Sequence, residues 1–154
     1  NAGDVISSSR IREAVRAGNM KDANHLLEHT HEIVGRVTHG DGRGKELGYP
    51  TANIRSETQL IPADGVYAVR LQRQTGEMLD GVANIGTRPT FDLQERTIEV
   101  HLLKFDGDLY NERVRVQWIQ RIRGEKRFAT HHELMQRIAL DSQLAIEILH
   151  ASDA

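Results

Sequence analysis

Apolar and polar residues alternate through the middle of the chain and recur at helical spacing at its two ends. At the start, Ser8 or Ser9 is placed to cap a helix in which Ile11, Ala14 and Val15 repeat at helical spacing and Gly18 ends the run. Asn19, with Asp22 three residues on, is placed to cap a second short helix carrying Leu26 and Leu27. From Glu32 the period changes to two. Ile33, Gly35 and Val37 alternate with polar residues. Val66 to Leu71 follows the turn signal Pro62-Ala63-Asp64-Gly65, and Gly76 marks a hairpin before Met78 to Ile85. In Arg96 to Lys104, Ile98, Val100 and Leu102 share one face, while Glu99, His101 and Leu103 share the other. Asp106-Gly107-Asp108 is a turn, and Arg113 to Ile122 alternates again with Val114, Val116 and Trp118 on one side. The chain ends in an amphipathic helix, opened by Thr130 with Glu133 and faced by Leu134, Ile138, Ala145, Ile148 and Leu149.

Short strands joined by glycine turns, with no helix between them, predict a mainly β fold: a small antiparallel β-barrel with a C-terminal α-helix and a short helical N-terminal segment. The first thirty residues are too few to bury their own apolar face, so they must pack on the rest of the chain or on a part of the protein outside it. No internal repeat is visible.

The bulk numbers narrow the function classes. With 154 residues, 38% hydrophobic and 27% charged, the chain is of a size to form one compact domain. A net charge of −2 argues against a general nucleic-acid or membrane-surface role. The absence of cysteine excludes disulfides, thiolate zinc sites and cysteine nucleophiles. No apolar run reaches membrane-spanning length, and no signal-peptide pattern opens the chain, so a cytoplasmic location is the default expectation. The chain begins at Asn1, and the expectation is a piece of a longer protein.

The densest motif is Gly40 to Asn53, GDGRGKELGYPTAN. It misses the P-loop, because Gly44-Lys45 comes one residue early and Glu46 stands where a hydroxyl is needed. It misses the dinucleotide fingerprint too, since its glycines are wrongly spaced. Glycine content alone favours a flexible connection. Pro50 changes the balance, because it pushes Tyr49 to an extended conformation. In an extended chain Thr51 and Asn53 lie on one side, roughly 6.6 Å apart at about 3.3 Å per residue. A hydroxyl and an amide oxygen so placed can share a hard cation such as Mg²⁺. The residues alone leave this open beside a turn leading into an edge strand.

Glu99 stands between β-branched neighbours and suits a general base if it reaches a cleft. The other reading is a solvated carboxylate or one paired with Arg96, Arg113 or Arg115. Asn84 to Phe91 reads as a loop because of Gly86 and Pro89, with Arg88 suited to phosphate and Phe91 to stacking. The basic residues Arg113, Arg115, Arg121, Arg123, Lys126 and Arg127 lack interleaved aromatics, so nucleic-acid binding is not expected. His29 with His31 and His131 with His132 lack metal-site spacing.

The core Gly-Arg-Gly-x-x-Leu-Gly-x-Pro-Thr-Ala-Asn closely resembles the signature of the riboflavin kinases (flavokinases). The resemblance continues in order through Gly65-Val66-Tyr67, Asn84 to Thr90, Glu99-Val100-His101, Asp108-Leu109-Tyr110 and Arg123 to Phe128. Ile6 to Arg12 is similar to the end of the adenylyltransferase module of bacterial bifunctional FAD synthetases, with Ser9 where that motif has threonine. The resemblance implies residues 1–30 as the tail of that preceding module and 31–154 as a riboflavin kinase domain. It implies a Greek-key barrel of about six strands and transfer of the ATP γ-phosphate to the ribityl 5′-hydroxyl of riboflavin, giving FMN and ADP. This chain is then not expected to make FAD by itself. Glu99 would be the general base, and Thr51 and Asn53 would hold Mg²⁺. Gly40, Gly42, Arg43, Gly44, Lys45, Gly48 and Pro50, with Thr51 and Asn53, would bind ATP. Asn84, Gly86, Arg88, Thr90, Phe91, Arg123 and Arg127 would bind the flavin. The implied partners are ATP, riboflavin and the adenylyltransferase domain, with neither nucleic acid nor membrane. The competing expectation is a non-catalytic flavin- or nucleotide-binding barrel that assists the adenylyltransferase domain.

Overall fold

The computed structural model describes residues 2–38, 51–89, 94–126 and 128–153. The alternating segments form six strands: β1 (His31–Thr38), β2 (Thr51–Ser56), β3 (Gly65–Gln72), β4 (Met78–Pro89), β5 (Gln94–Leu102) and β6 (Arg113–Arg123). They pair antiparallel in the order β1-β2-β5-β4-β3-β6 and close into a barrel. Closure gives each of the six described strands a neighbour on both sides. The expected six-stranded antiparallel barrel is therefore what the chain forms.

The period of two decides which side chains fill the barrel. Ile33, Val37, Ile54, Tyr67, Val69, Leu71, Ile85, Ile98, Val100, Val116 and Trp118 are buried in one cluster. Each such aliphatic side chain contributes about 1.5–3 kcal/mol of burial. Tyr67 meets Trp118 edge-on, with ring centroids 5.1 Å apart. Its hydroxyl donates to the Ala63 carbonyl at 2.5 Å, and burial pushes its pKa up to about 12.

Two N-terminal helices, α1 (Ala2–Ala17) and α2 (Met20–Leu27), extend that cluster. Ala14, Val15, Met20 and Ala23 bury their side chains in the same core as the barrel, so the apolar face expected to need a partner finds it within the chain. Asn24 fastens the junction: its amide donates to the Trp118 carbonyl at 2.8 Å, and its oxygen accepts from the His31 N–H at 2.7 Å. Gly18 ends α1 at φ +81°, where an added Cβ would stand 2.8 Å from the Tyr67 hydroxyl. Asn19 caps α2 by accepting from the Asp22 N–H. One expectation fails here. Ser8 and Ser9 do not cap α1, which runs through both of them. Serine competes only weakly with helix once flanking turns support it.

The last helix, α3 (His131–Ser152), is capped by Thr130, whose hydroxyl accepts from the Glu133 N–H at 3.1 Å. It lies across the outside of the barrel, where Ala145 and Leu149 pack with Val66, Ala68 and Val82. Arg70 secures its far end by donating to the Leu149 carbonyl at 2.9 Å and pairing with Asp153 at 2.7 Å. No described helix is long and apolar enough to cross a membrane.

The segment from Asn84 onward is a second correction. It was expected as a loop, yet β4 continues to Pro89, paired with β5 from Gly81↔Leu102 to Pro89↔Gln94. Gly86 does not break the strand, since it stays paired with Thr97, and Pro89 stands at the strand's end. Asn53 is likewise no edge position, since it pairs with Thr38 of β1 on one side and Glu99 of β5 on the other.

Candidate active site

Strand register brings the separated candidates together. Asn53 on β2 stands opposite Glu99 on β5, and Asn84 on β4 stands opposite Glu99 from the other side. One step along, Thr51 stands opposite His101. Their chain neighbours Ala52, Ile54, Ile98, Val100, Ala83 and Ile85 are buried in the barrel core. Alternation therefore puts Thr51, Asn53, Asn84, Glu99 and His101 on the outer face, where all are half-buried. The row sits beside the sector that α3 covers, because Val82, opposite His101 on β4, packs into the α3 cluster.

The helix contributes a charge to this seam. Asp141 is 2% exposed, although its neighbours in the helical stripe, Ile138 and Ala145, are apolar. A buried carboxylate requires partners. Arg123, at the end of β6, donates through Nη2 at 2.8 Å and through Nε at 3.1 Å to both oxygens. Arg137, one turn earlier on α3, donates at 3.0 Å. The cluster ties the helix to the barrel beside the polar row. Burial lowers the pKa of His101, and the negative charge of Asp141 pulls it partly back up. The Nδ1 of His101 lies 3.1 Å from the Thr51 hydroxyl oxygen.

The chain after β6 folds back over the same face. A Cβ added to Gly86 would stand 2.7 Å from Glu125 Oε1, so the bare glycine makes room for that carboxylate. The Arg123 guanidinium and the Lys126 ammonium lie 5.6 and 5.8 Å from the centre of the Phe128 ring. Of the other residues expected at the site, Arg88 is placed on β4 opposite Glu95. Gly40, Gly42, Arg43, Gly44, Lys45, Gly48, Pro50, Thr90, Phe91 and Arg127 lie outside the described residues. The arginines considered as partners for Glu99 are engaged elsewhere: Arg96 with Asp64, Arg113 with Glu57 and Arg115 with Glu32.

The donor set suits a hard cation shared with a ligand. Thr51 and Asn53 offer neutral oxygens, and Glu99 a carboxylate, on one patch of the outer face. No cluster of three or more His, Cys, Asp or Glu able to hold a metal occurs among the described residues. Mg²⁺ is commonly bound by one or two protein oxygens together with substrate phosphates, a mode open to Thr51 and Asn53.

Sequence reasoning missed Asp141 and Arg137 and gave His101 no role. A signal for Asp141 was present: it is a lone charge within the apolar stripe that runs through Ile138 and Ala145. For His101 there was only its place two residues after Glu99, on the same strand face.

Comparison with known proteins points to one family. A family model described as Flavokinase: Riboflavin kinase matches residues 27–149. The bifunctional riboflavin kinase/FMN adenylyltransferase of Escherichia coli K12 is 44% identical over 145 residues, covering 94% of this chain and 46% of that protein. Its Bacillus subtilis counterpart is 41% identical over 145 residues, covering 92% and 46%. The chain thus spans about half the length of the curated relatives it matches. Among solved structures, a Streptococcus pneumoniae protein described as a macrolide-efflux protein superimposes with a TM-score of 0.85 at 37% identity, over 90% of this chain and 45% of that one. Riboflavin kinase from Trypanosoma brucei superimposes with a TM-score of 0.55 at 24% identity, over 77% and 79%, which is a likeness of fold alone.

Proposed function

The chain belongs to the riboflavin kinase family, and from that premise we propose that it moves the γ-phosphoryl group of ATP to the ribityl 5′-hydroxyl of riboflavin with the help of Mg²⁺. The observation that carries this reading is the cross-strand row in which Asn53 and Asn84 flank Glu99 on the outer face, with Thr51 one step away. Glu99 accepts the proton of the 5′-hydroxyl. The freed oxygen bonds to the γ-phosphorus, the bond from that phosphorus to the β–γ bridging oxygen breaks, and ADP leaves. A positioned base of this kind is worth about 10²–10⁴ in rate. Thr51 and Asn53 hold the cation through neutral oxygens. Bound there, Mg²⁺ offsets the negative charge that builds on the phosphates during transfer.

Gly40, Gly42, Arg43, Gly44, Lys45, Gly48 and Pro50 are assigned to ATP by their place next to Thr51 in the sequence. Asn84, Gly86, Arg88, Thr90, Phe91, Arg123 and Arg127 are assigned to the flavin side. Asn84 is the best supported of these, since it faces the base across the β4–β5 pair. Arg123 acts there through its grip on Asp141, which sets the position of α3. Residues 1–30 are read as the tail of an adenylyltransferase module and 31–154 as the kinase domain of a cytoplasmic bifunctional enzyme. FAD formation belongs to the whole protein.

The test is FMN formation from riboflavin and ATP across a Mg²⁺ titration, with Thr51→Ala and Asn53→Ala beside the parent chain. Each variant should need more Mg²⁺ for half-maximal rate. An unchanged Mg²⁺ requirement in both would remove them as ligands, and riboflavin binding without turnover in the parent chain would favour a non-catalytic barrel.

A further inference from the structure

His101 has no part in the scheme above, yet it is built into the site. It stands opposite Thr51 across the β2–β5 pair, with Nδ1 3.1 Å from the hydroxyl oxygen. Directly opposed strand positions hold side chains at a nearly fixed separation, so this contact is imposed by the backbone. On the other side lies α3, whose buried Asp141 is locked by Arg123 and Arg137. The imidazole thus stands beside Thr51 on one side and, on the other, opposite Val82, which packs against α3.

The chemistry of a hydroxyl ligand explains why an imidazole belongs there. A threonine oxygen that gives a lone pair to a cation must send its hydrogen away from the positive charge. A hydroxyl free to rotate does this only part of the time. A neutral imidazole has one nitrogen that accepts a hydrogen bond, and Nδ1 is within reach of Thr51. We infer that His101 is a positioning residue that takes the Thr51 hydroxyl hydrogen on Nδ1 and so turns the Thr51 oxygen lone pairs toward the cation. This rests on the assignment of Thr51 as a Mg²⁺ ligand. Partners that orient a metal ligand from behind are commonly worth roughly 10-fold to 100-fold in metal affinity.

The experiment measures binding alone. ADP is titrated into the chain by calorimetry with saturating Mg²⁺ and again in EDTA, and the gain in affinity due to Mg²⁺ is compared among variants. Asparagine puts a polar atom where Nδ1 stands, whereas glutamine puts one nearer Nε2. His101→Asn should keep the gain within about threefold of the parent, and His101→Gln should lose roughly 10-fold or more of it. Thr51→Val should lose the gain by itself, and adding His101→Gln to it should cost nothing further. If Thr51→Val loses the gain while His101→Gln keeps it, the positioning role is wrong and the ligand assignment stands. Equal losses in the Asn and Gln variants would also overturn it, because the effect would then be packing. If Thr51→Val keeps the gain, the ligand assignment itself fails. Should His101→Gln not fold, His101→Asn decides alone: a kept gain supports the role and a lost one contradicts it.

Discussion

The two faces of β5 make opposite demands on neighbouring residues. Ile98, Val100 and Leu102 point into the barrel and are 3%, 0% and 2% exposed. Glu99 and His101, between them, stand half-buried on the outside beside Asn53, Asn84 and Thr51. The inner face answers to volume and is indifferent to chemistry beyond being apolar. The outer face answers to the identity of single atoms, since an acceptor at the wrong position ends its use. Register couples the two faces. A slip of one residue would turn the polar row into the core and the core into solvent, so the packing that holds the fold also sets the site.

Substitutions that act on one face and spare the other test this division. The largest expected effect is on chemistry. Glu99→Gln should cut turnover by about 10²–10⁴ while the midpoint of thermal unfolding moves little. A large fall in stability would mean that Glu99 serves the fold. Next comes Asp141→Ala, which strands two guanidinium groups at the seam and should cost about 4 kcal/mol in urea unfolding. A loss below about 1 kcal/mol would place that cluster with ordinary surface ion pairs. On the inner face, Ile98→Ala should cost about 3 kcal/mol through the cavity it leaves. The KM for riboflavin should be unchanged in the fraction that stays folded. A shifted KM with normal stability would break the separation of the faces. The smallest effect belongs to the cap of α3: Thr130→Ala should cost about 1 kcal/mol and leave turnover intact.

Much of this arrangement is readable from the chain, and the exceptions have physical causes. Alternation identified both faces of β5 because period two is a local property. Capping at Asn19 and Thr130 was readable for the same reason, since a cap and its partner lie three residues apart. Register was not readable. Nothing local says that Asn53 and Asn84 both stand opposite Glu99, because that depends on which strands become neighbours when the barrel closes. Ser8 and Ser9 misled because a residue that can cap a helix does not start one whose turns continue on both sides of it. Gly86 misled because its small size serves the close approach of Glu125 and not a turn. Asp141 looked like an interruption of an apolar stripe, and only the return of β6 alongside α3 supplies the arginine that keeps it buried.

The central claim is phosphoryl transfer to riboflavin on the outer face of the barrel. The most direct measurement is to incubate the chain with riboflavin, ATP and Mg²⁺ and quantify FMN, ADP and FAD together. The account predicts FMN and ADP in equal amounts, no FAD, and loss of both products when Mg²⁺ is chelated. ADP accumulating without FMN, or riboflavin bound and returned unchanged, would contradict it.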